Sequence, residues 1–165
     1  MADHPNLQKN PNITVFSISE LMSLNVNETV IITNSGINDR VFTELDLTRF
    51  SKLKTLEIGR HCFAHVERVK LIGLGELESV VIGDKGFTLT EPREGETSNR
   101  YFYLKNCPKL KSLKIGSSSF MDYSVIEIEN VDALEVIEIG EWNGWMDRNF
   151  YYASLELKSI LILNK

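Results

Sequence analysis

Histidine and cysteine side chains carry much of the nucleophilic and metal-binding chemistry of proteins. His61, Cys62 and His65 lie within five residues of one another, in the order His-Cys-x-x-His. These residue types suit zinc, but no second cluster accompanies them, and Cys62 adjoins Phe63, which occupies a recurring apolar position. We therefore expect solvent-facing turn residues here and predict no metal site.

The chain has two cysteines, Cys62 and Cys107. A small disulfide scaffold would need more of them. The chain contains a repeated apolar pattern, and at the place of Cys107 its other copies have Phe50, Leu74 and Val131. We therefore expect a buried, inert thiol. No His–Asp or Ser–His arrangement accompanies either cysteine. We predict no catalytic residues, no cofactor and no enzymatic activity.

Composition narrows the remaining function classes. The chain has 165 residues, of which 42% are hydrophobic and 25% charged, and its net charge is -5. These values are typical of one globular domain. The acidic balance disfavours nucleic acid as a partner, because binding phosphates needs clustered Lys and Arg. No apolar run approaches the roughly 18 residues of a membrane-spanning segment.

The first twelve residues, MADHPNLQKNPN, are polar and contain two prolines. We expect a flexible lead-in over residues 1–12, followed by a single domain over 13–165. The lead-in lacks the basic and apolar stretches of a signal peptide. This favours a cytoplasmic location and leaves the cell surface or secretion open for a trimmed form.

A repeated phrase, Leu-x-x-Leu-x-Ile-Gly, determines the fold prediction. It begins at four leucines, with Val or Ile as the second apolar residue in two copies: Leu53, Leu77, Leu110 and Leu134. Further apolar residues recur eight, six and three positions before each leucine, and a phenylalanine follows ten positions after it at Phe63, Phe87 and Phe120. A fixed period of this length indicates a solenoid.

Both halves of each repeat alternate apolar and polar residues, which predicts strands on both sides and little helix. A glycine ends the second strand in four repeats: Gly59, Gly83, Gly116 and Gly140. We expect these glycines to supply either a positive φ or a close approach between repeats. Residues 88–100 interrupt the pattern with a polar stretch, which predicts a loop inserted at the surface.

The first repeat is degenerate, and we expect a short helix to cover it. Ser17 or Ser19 is expected to cap a helix over Ile18–Leu24. Its apolar face is expected to consist of Ile18, Leu21, Met22 and Leu24. In the strand that follows, we expect Val30 and Ile32 at the places of Leu56 and Ile58, and Ile37 at the place of Phe63.

The last repeat admits two registers. In the first, Leu157 takes the place of Leu134; in the second, Leu155, Leu161 and Leu163 point inward, with Phe150 and Tyr152 in register before them. The residue after the first leucine of the phrase alternates in charge through the repeats: Lys54, Glu78, Lys111, Glu135 and Lys158. Neighbouring parallel strands would align these charges in a ladder, which favours the first register.

These repeats resemble the leucine-rich repeat, L-x-x-L-x-L-x-x-N/C-x-L, whose apolar places are filled by Leu53, Leu56, Ile58 and Phe63. The place of the family's asparagine is held by other residues: His61, Lys85, Ser118 and Trp142. The run from Ile115 to Phe120, Ile-Gly-x-x-Ser-Phe, is similar to the I-G-x-x-A-F signature of the BspA-type branch, common in surface and secreted proteins of bacteria and protists.

The resemblance implies a mostly β, right-handed solenoid of about five coils with parallel strands, which binds a protein partner through its exposed strand face and loops. The candidate partner-binding residues on that face are Glu57, Val81, Lys114 and Glu138. A solvated face is the alternative for them.

Aromatic residues concentrate where the fourth repeat breaks, at Trp142, Trp145 and Tyr151. They are candidate partner-binding residues as well, since aromatic side chains are enriched at interface hot spots. In the alternative, Trp145 replaces the phenylalanine that position 144 lacks and the tyrosines cover the last repeat. The alternative function is a structural or self-assembling unit, or a fragment of a longer surface array, which associates through its C-terminal edge strand.

Overall fold

The computed structural model describes residues 13–89, 99–140 and 148–158. These residues form eleven strands and one short helix, so the architecture is mostly β. In the described ranges, no helix has the length and apolar character needed to cross a membrane.

The strands form two sheets in which all neighbours are parallel. The first sheet contains, in spatial order, β1 (Ile13–Val15), β2 (Val30–Thr33), β4 (Thr55–Ile58), β6 (Ser79–Ile82), β8 (Ser112–Ile115) and β10 (Val136–Ile139). The second contains β3 (Glu44–Asp46), β5 (Arg68–Ile72), β7 (Tyr101–Lys105), β9 (Val125–Glu129) and β11 (Ser154–Lys158). From β2 onward the chain alternates between the sheets. The predicted parallel strands in both halves of each repeat are confirmed.

The helix α1 (Ile18–Ser23) covers the N-terminal end of the core. Ser17 is its N-cap and accepts a hydrogen bond from the Glu20 amide, while the Glu20 carboxylate accepts one from the amide of Phe16, the residue before the cap. Leu21 is buried, but Met22 is exposed. The prediction that Met22 faces the core is wrong, because a helix of fewer than two turns buries only one narrow face.

The sheet starts one strand earlier than the sequence indicates. The strand β1 pairs with β2, and Val15 is buried in the core. No repeat phrase marks this segment, so the sequence pattern does not predict this strand.

The predicted register of β2 is wrong by one residue. Val30 lies opposite Thr55 and Ile32 opposite Glu57, whereas the buried Ile31 lies opposite Leu56. The run Val-Ile-Ile-Thr is apolar or β-branched throughout, so no alternation distinguishes its two faces.

The same one-residue error applies to Ile37. The amide of Phe63 donates to the Ile37 carbonyl, just as the amide of Phe87 donates to the Cys62 carbonyl. Ile37 therefore corresponds to Cys62 and not to Phe63.

A column of phenylalanines runs through the core. The rings of Phe63 and Phe87 have centroids 5.4 Å apart, those of Phe87 and Phe120 4.8 Å, and those of Phe120 and Phe150 5.8 Å. All four residues have φ between 55° and 60°. The expectation that the fourth repeat lacks its phenylalanine is wrong; Trp145, the replacement considered in one alternative, lies outside the described residues. Phe150 fills the place, because the fourth repeat has six more residues before it than the phrase indicates.

The last repeat follows neither predicted register. Leu155 lies opposite Ile126 and Leu157 opposite Ile128, so both belong to the second sheet. Lys158 lies opposite Glu129 and is not part of the charge ladder.

The first four members of the ladder are neighbours, as predicted. The amide of Glu78 donates to the Lys54 carbonyl, that of Lys111 to the Glu78 carbonyl and that of Glu135 to the Lys111 carbonyl. The register of the central repeats is therefore the one that the charges indicate.

The repeat glycines serve two different purposes. A methyl group at Gly59, Gly83 or Gly116 would lie within 2.7, 2.8 or 2.4 Å of backbone atoms of the preceding repeat. Gly140 has instead a positive φ of 66°. Three of these glycines thus permit close stacking, and the fourth permits a left-handed backbone.

Candidate interaction surfaces

The structure brings the four predicted strand-face residues into one row across the first sheet. Glu57 lies opposite Val81, Val81 opposite Lys114, and Lys114 opposite Glu138. The Lys114 ammonium is 3.0 Å from the Glu138 carboxylate. A parallel row of small hydroxyl residues, Thr55, Ser79 and Ser112, lies beside it.

Of the three aromatic candidates, only Tyr151 lies in the described residues; Trp142 and Trp145 lie outside them. Tyr151 is exposed and contacts Tyr152 edge to face, with ring centroids 4.7 Å apart. The Arg148 guanidinium lies 5.5 Å from the Tyr151 ring centroid. This small aromatic cluster precedes β11.

The outward face of the second sheet carries a second tyrosine pair, in its central strand. Tyr101 and Tyr103 stack with ring centroids 4.4 Å apart. They alternate with the buried Phe102 and Leu104, so β7 directs its tyrosines away from the core. Both tyrosines are partly exposed. Stacked, partly exposed aromatic side chains at the centre of a sheet are typical of interface anchors.

On one side of the tyrosines lies β5, whose basic residues form ion pairs with an acidic residue of β3. In β5, the Arg68 Nε donates to the Glu44 carboxylate at 2.8 Å and the Lys70 Nζ donates to its other oxygen at 2.6 Å. The hydrogen bond from Lys70 is the main cause that lowers the pKa of Glu44 below its usual value, with Arg68 next. The same bond raises the pKa of Lys70.

On the other side lies an acidic strand. The Lys105 ammonium pairs with Glu127 and lies 3.5 Å from Glu129, both in β9. It also lies 4.5 Å from the centroid of the Tyr103 ring. The hydrogen bond to Glu127 is the main cause that raises the pKa of Lys105. The tyrosines are thus flanked by fixed charges of opposite sign.

Tyr101 and Tyr103 are not among the predicted site residues, although the sequence carries a signal for this surface. The run Tyr-Phe-Tyr-Leu-Lys at 101–105 alternates, and the buried phenylalanine and leucine predict that both tyrosines and the lysine point outward. The resemblance assigns binding to the first sheet, so its predicted site residues do not include the two tyrosines.

The inserted loop is anchored by a buried ion pair. The Asp122 carboxylate accepts hydrogen bonds from the Leu89 amide and the Arg100 guanidinium, each 2.8 Å long. Thr88 and Arg100 are buried, so the prediction of a surface loop over 88–100 is wrong at both ends. Residues 90–98 lie outside the described ranges.

Further contacts of Arg100 show that the anchor is structural. The guanidinium donates to the carbonyls of Ala64 and Val66 and lies 4.7 Å from the Tyr123 ring centroid. The Tyr123 hydroxyl donates to the Val66 carbonyl at 2.7 Å, and burial raises its pKa above the usual value. A protonated, enclosed phenol is unsuited to proton transfer with a substrate.

The cysteines lie inside the core. Cys107 is buried as predicted, and burial raises the pKa of its thiol. Cys62 is buried too, and its thiol donates to the Asn34 carbonyl at 3.0 Å, so the expectation of a solvent-facing turn is wrong for this residue. No group of three His, Cys, Asp or Glu side chains suited to a metal occurs in the described part of the chain.

The C-terminal end of the described core is open. Ile137 and Ile139 in β10, and Leu155 and Leu157 in β11, occupy core positions but are exposed.

No protein-family model, no curated protein and no solved structure matches the chain. The candidate sites therefore depend on the geometry of these surfaces alone.

Proposed function

We propose that the chain is a non-enzymatic protein-binding module and that the outward face of the second sheet is its main contact surface. The stacked pair Tyr101–Tyr103 is the observation that carries the proposal. Tyrosine supplies a large contact area at low entropic cost, and it is enriched among interface hot spots. The ion pairs on both sides, such as Lys70–Glu44, would form a polar rim around this anchor.

The architecture that we propose for this module is a right-handed, leucine-rich-repeat-like solenoid similar to the BspA-type branch. Two features support it: the chain alternates between the sheets from β2 onward, and each repeat pairs in register with the next. In such an array each repeat contacts only its neighbours. Deletion of residues 53–76, one 24-residue period, should therefore leave a shorter protein that unfolds cooperatively. Loss of cooperative unfolding would contradict the solenoid.

The binding function is tested by comparing the two sheet faces. Wild-type protein, a Tyr101→Ser/Tyr103→Ser variant and a Val81→Ser/Lys114→Ser variant are immobilised, and captured proteins are quantified by mass spectrometry. We expect partners of the wild type to be lost from the tyrosine variant and retained by the first-sheet variant. Equal capture by all three proteins would refute the proposal, and loss from the first-sheet variant alone would move the site to the predicted row.

A second candidate function is that of a self-assembling structural unit or a segment of a longer array. The exposed core positions Ile137 and Ile139 favour it, because β10 ends the first sheet in the described part of the chain and an open apolar edge invites pairing. Light scattering tests this candidate. A protein that stays monomeric at high concentration, or an oligomer unchanged by Ile137→Ser, would rule out association through this edge.

A further inference from the structure

We propose that the open edge of the first sheet binds an extended, basic segment of another protein, which adds to the sheet as a parallel strand beside β10. This edge is separate from the tyrosine pair, so the inference does not depend on the binding function proposed for the second sheet. It follows from the backbone of β10, from its apolar side chains and from the order of charges in the repeats.

The backbone of β10 offers the groups that a further strand would bind. The carbonyls of Ile58, Ile82 and Ile115 each accept a hydrogen bond from the glycine amide of the next repeat. Ile139 is next in this series, and no backbone amide of the described residues donates to its carbonyl. The Glu135 carbonyl ends a second series of the same kind. A strand edge with such groups is a template for an extended segment of another chain.

The side chains of β10 favour a strand that alternates apolar and polar residues. Ile137 and Ile139 are exposed, although Leu113 and Ile115, which lie opposite them in β8, are buried. A further strand with apolar residues at the matching positions would cover both isoleucines. In strand addition of this kind, main-chain hydrogen bonds provide affinity and alternate side chains provide specificity.

The first-sheet half of each repeat alternates in net charge along the array. Over residues 50–59, 74–83, 107–116 and 131–140, the net charge is +1, -2, +3 and -3. The charged residues are, in this order, Lys52, Lys54 and Glu57; Glu76 and Glu78; Lys109, Lys111 and Lys114; and Asp132, Glu135 and Glu138. Their strands are neighbours in the sheet, so each half-repeat lies beside one of opposite charge. The half-repeat at the edge is acidic, and a basic strand would continue the alternation.

The charges beside β10 show which positions of the added strand would be basic. Inside the sheet, Glu78 lies between Lys54 and Lys111, with a lysine on either side. At the edge, Glu135 has Lys111 on one side and, in the described residues, no strand on the other. Glu138 pairs with a lysine of the inner neighbour, β8. Because complementary charges select partners, lysine or arginine beside Glu135 and Glu138 is expected in the bound segment.

A second copy of the chain fits this edge less well. Two copies that met through β10 would bring two half-repeats of charge -3 together, and like charges across an interface are repulsive. A head-to-tail contact would place β1 of one copy beside β10 of the other, and Ile13–Val15 contains no cation. The edge strand β11 does not change this balance, because Glu156 and Lys158 pair with each other.

A peptide from the chain's own basic half-repeat tests the inference. The probe is residues 108–116, PKLKSLKIG, which has three lysines and the apolar spacing of β8, the strand that already lies beside β10. The control peptide has glutamate at the three lysine positions. Fluorescence anisotropy follows the binding of each labelled peptide to the 165-residue protein. We expect saturable binding of the basic peptide and binding of the control weaker by about tenfold or more, because like charges then meet at Glu135 and Glu138.

Charge reversal in the protein should reverse this preference. Glu135→Lys/Glu138→Lys should bind the control peptide more tightly than the basic one, a result that a loss of folding cannot produce. Thermal melts check folding, and where this variant does not fold, Glu135→Gln/Glu138→Gln replaces it and should weaken both the binding of the basic peptide and its dependence on salt. Glu57→Lys, in the same outward row, and Tyr101→Ser/Tyr103→Ser should bind the basic peptide as the wild type does.

Three results would overturn the proposal. The first is no saturable binding of the basic peptide, as expected for an edge that a second copy or the rest of the chain covers. The second is equal binding of both peptides or a preference that the reversal leaves unchanged. The third is loss of binding from the tyrosine variant alone, which would move the peptide to the second sheet. If neither peptide binds but the tyrosine variant loses the captured partners, the binding function stands and only the basic strand is wrong.

Discussion

Ile115 and Ile139 lie opposite each other in neighbouring strands of the first sheet, yet one is 3% exposed and the other 41%. Leu113 and Ile137, two residues earlier, are 0% and 42% exposed. The residue types and the backbone conformation are nearly the same. The difference is that β8 has a neighbour on both sides, whereas β10 is the last strand of this sheet in the described residues.

The second sheet shows the same contrast. Ile126 and Ile128 in β9 are buried, and their neighbours Leu155 and Leu157 in β11 are exposed. The repeat phrase thus specifies which side chains can pack, and the following repeat provides the apolar surroundings. In the proposed solenoid, stability is carried largely by contacts between neighbouring repeats.

Aspartate substitutions at the matched positions should give the largest difference. Ile115→Asp places an unpaired carboxylate in the core and should cost more than about 4 kcal/mol, a large part of a domain's roughly 5–15 kcal/mol. Ile139→Asp leaves its carboxylate in contact with water and should cost about 1 kcal/mol. Urea unfolding measures both. Equal losses would mean that the last strand is as enclosed as the central one.

Much of the fold can be predicted from the central repeats alone. The leucines, the glycines and the column of Phe63, Phe87 and Phe120 recur at fixed intervals, and alternation assigns an inner and an outer face to each strand. The charges of Lys54, Glu78, Lys111 and Glu135 confirm the same register. These signals are independent of one another and agree.

The errors fall where a second signal is missing. The run before Asn34 has no alternation, so a one-residue slip reverses its faces. Near the C-terminus, Leu157-x-x-Ile160 matches the start of the strand phrase, but it equally matches Ile128-x-x-Val131 in the other half of the repeat. Six extra residues before Phe150 remove the fixed interval that would have separated these two matches.

The surfaces were less predictable than the core. Alternation placed Glu57, Val81, Lys114 and Glu138 in one outward row, which the structure shows. Their role in binding stays a prediction. The ion pair of Arg100 with Asp122 lies 22 positions apart in sequence and has no repeat counterpart, so no pattern could indicate it.

The second and fourth repeats each contain extra residues, and the side chains that hold these insertions differ in charge. Asp122 joins Leu89 to the buried Arg100, whereas Asn149, in the fourth repeat, accepts from the Ser118 amide and donates to the Gly116 carbonyl. Asp122→Ala leaves a buried guanidinium without its carboxylate and should cost about 3–5 kcal/mol. Asn149→Ala removes neutral, partly exposed bonds and should cost about 1–2 kcal/mol. Urea titrations giving the reverse order would show that the charged anchor is dispensable.

Substitutions at Gly116 and Gly140 provide a further comparison, with smaller expected effects on stability. At Gly116, alanine and asparagine should both destabilise by about 1–3 kcal/mol, because either Cβ meets the backbone of Asp84. At Gly140, the positive φ is the constraint, so asparagine should be tolerated better than alanine by a few tenths of a kcal/mol or more. Thermal melts of the four variants decide. A preference for asparagine at Gly116 as well would argue against the close approach.

The smallest expected effect is on the pH dependence of stability, and it compares carboxylates in β3 and β11, the edge strands of the second sheet in the described residues. Glu44 in β3 is held by Lys70 and Arg68, and its pKa in the folded protein lies below the value of about 4.3 for an unfolded chain. The contribution of Glu44 to the free energy of unfolding is therefore fully present above the unfolded-state pKa. It is lost as the pH falls through the lowered, folded-state pKa.

We expect Glu44→Gln to reduce this acid sensitivity by less than about 1 kcal/mol, since the side chain is one-third exposed and solvent screens the pair. Glu156 in β11 is paired with Lys158, and this hydrogen bond is the main cause that lowers its pKa, but in a more exposed site. Glu156→Gln should change the acid sensitivity less than Glu44→Gln does. Unfolding free energies measured from pH 3 to 7 give the pH dependence of stability for the two variants. A larger change for Glu156→Gln would show that the charges of β11 are better ordered than its exposed Leu155 and Leu157 indicate.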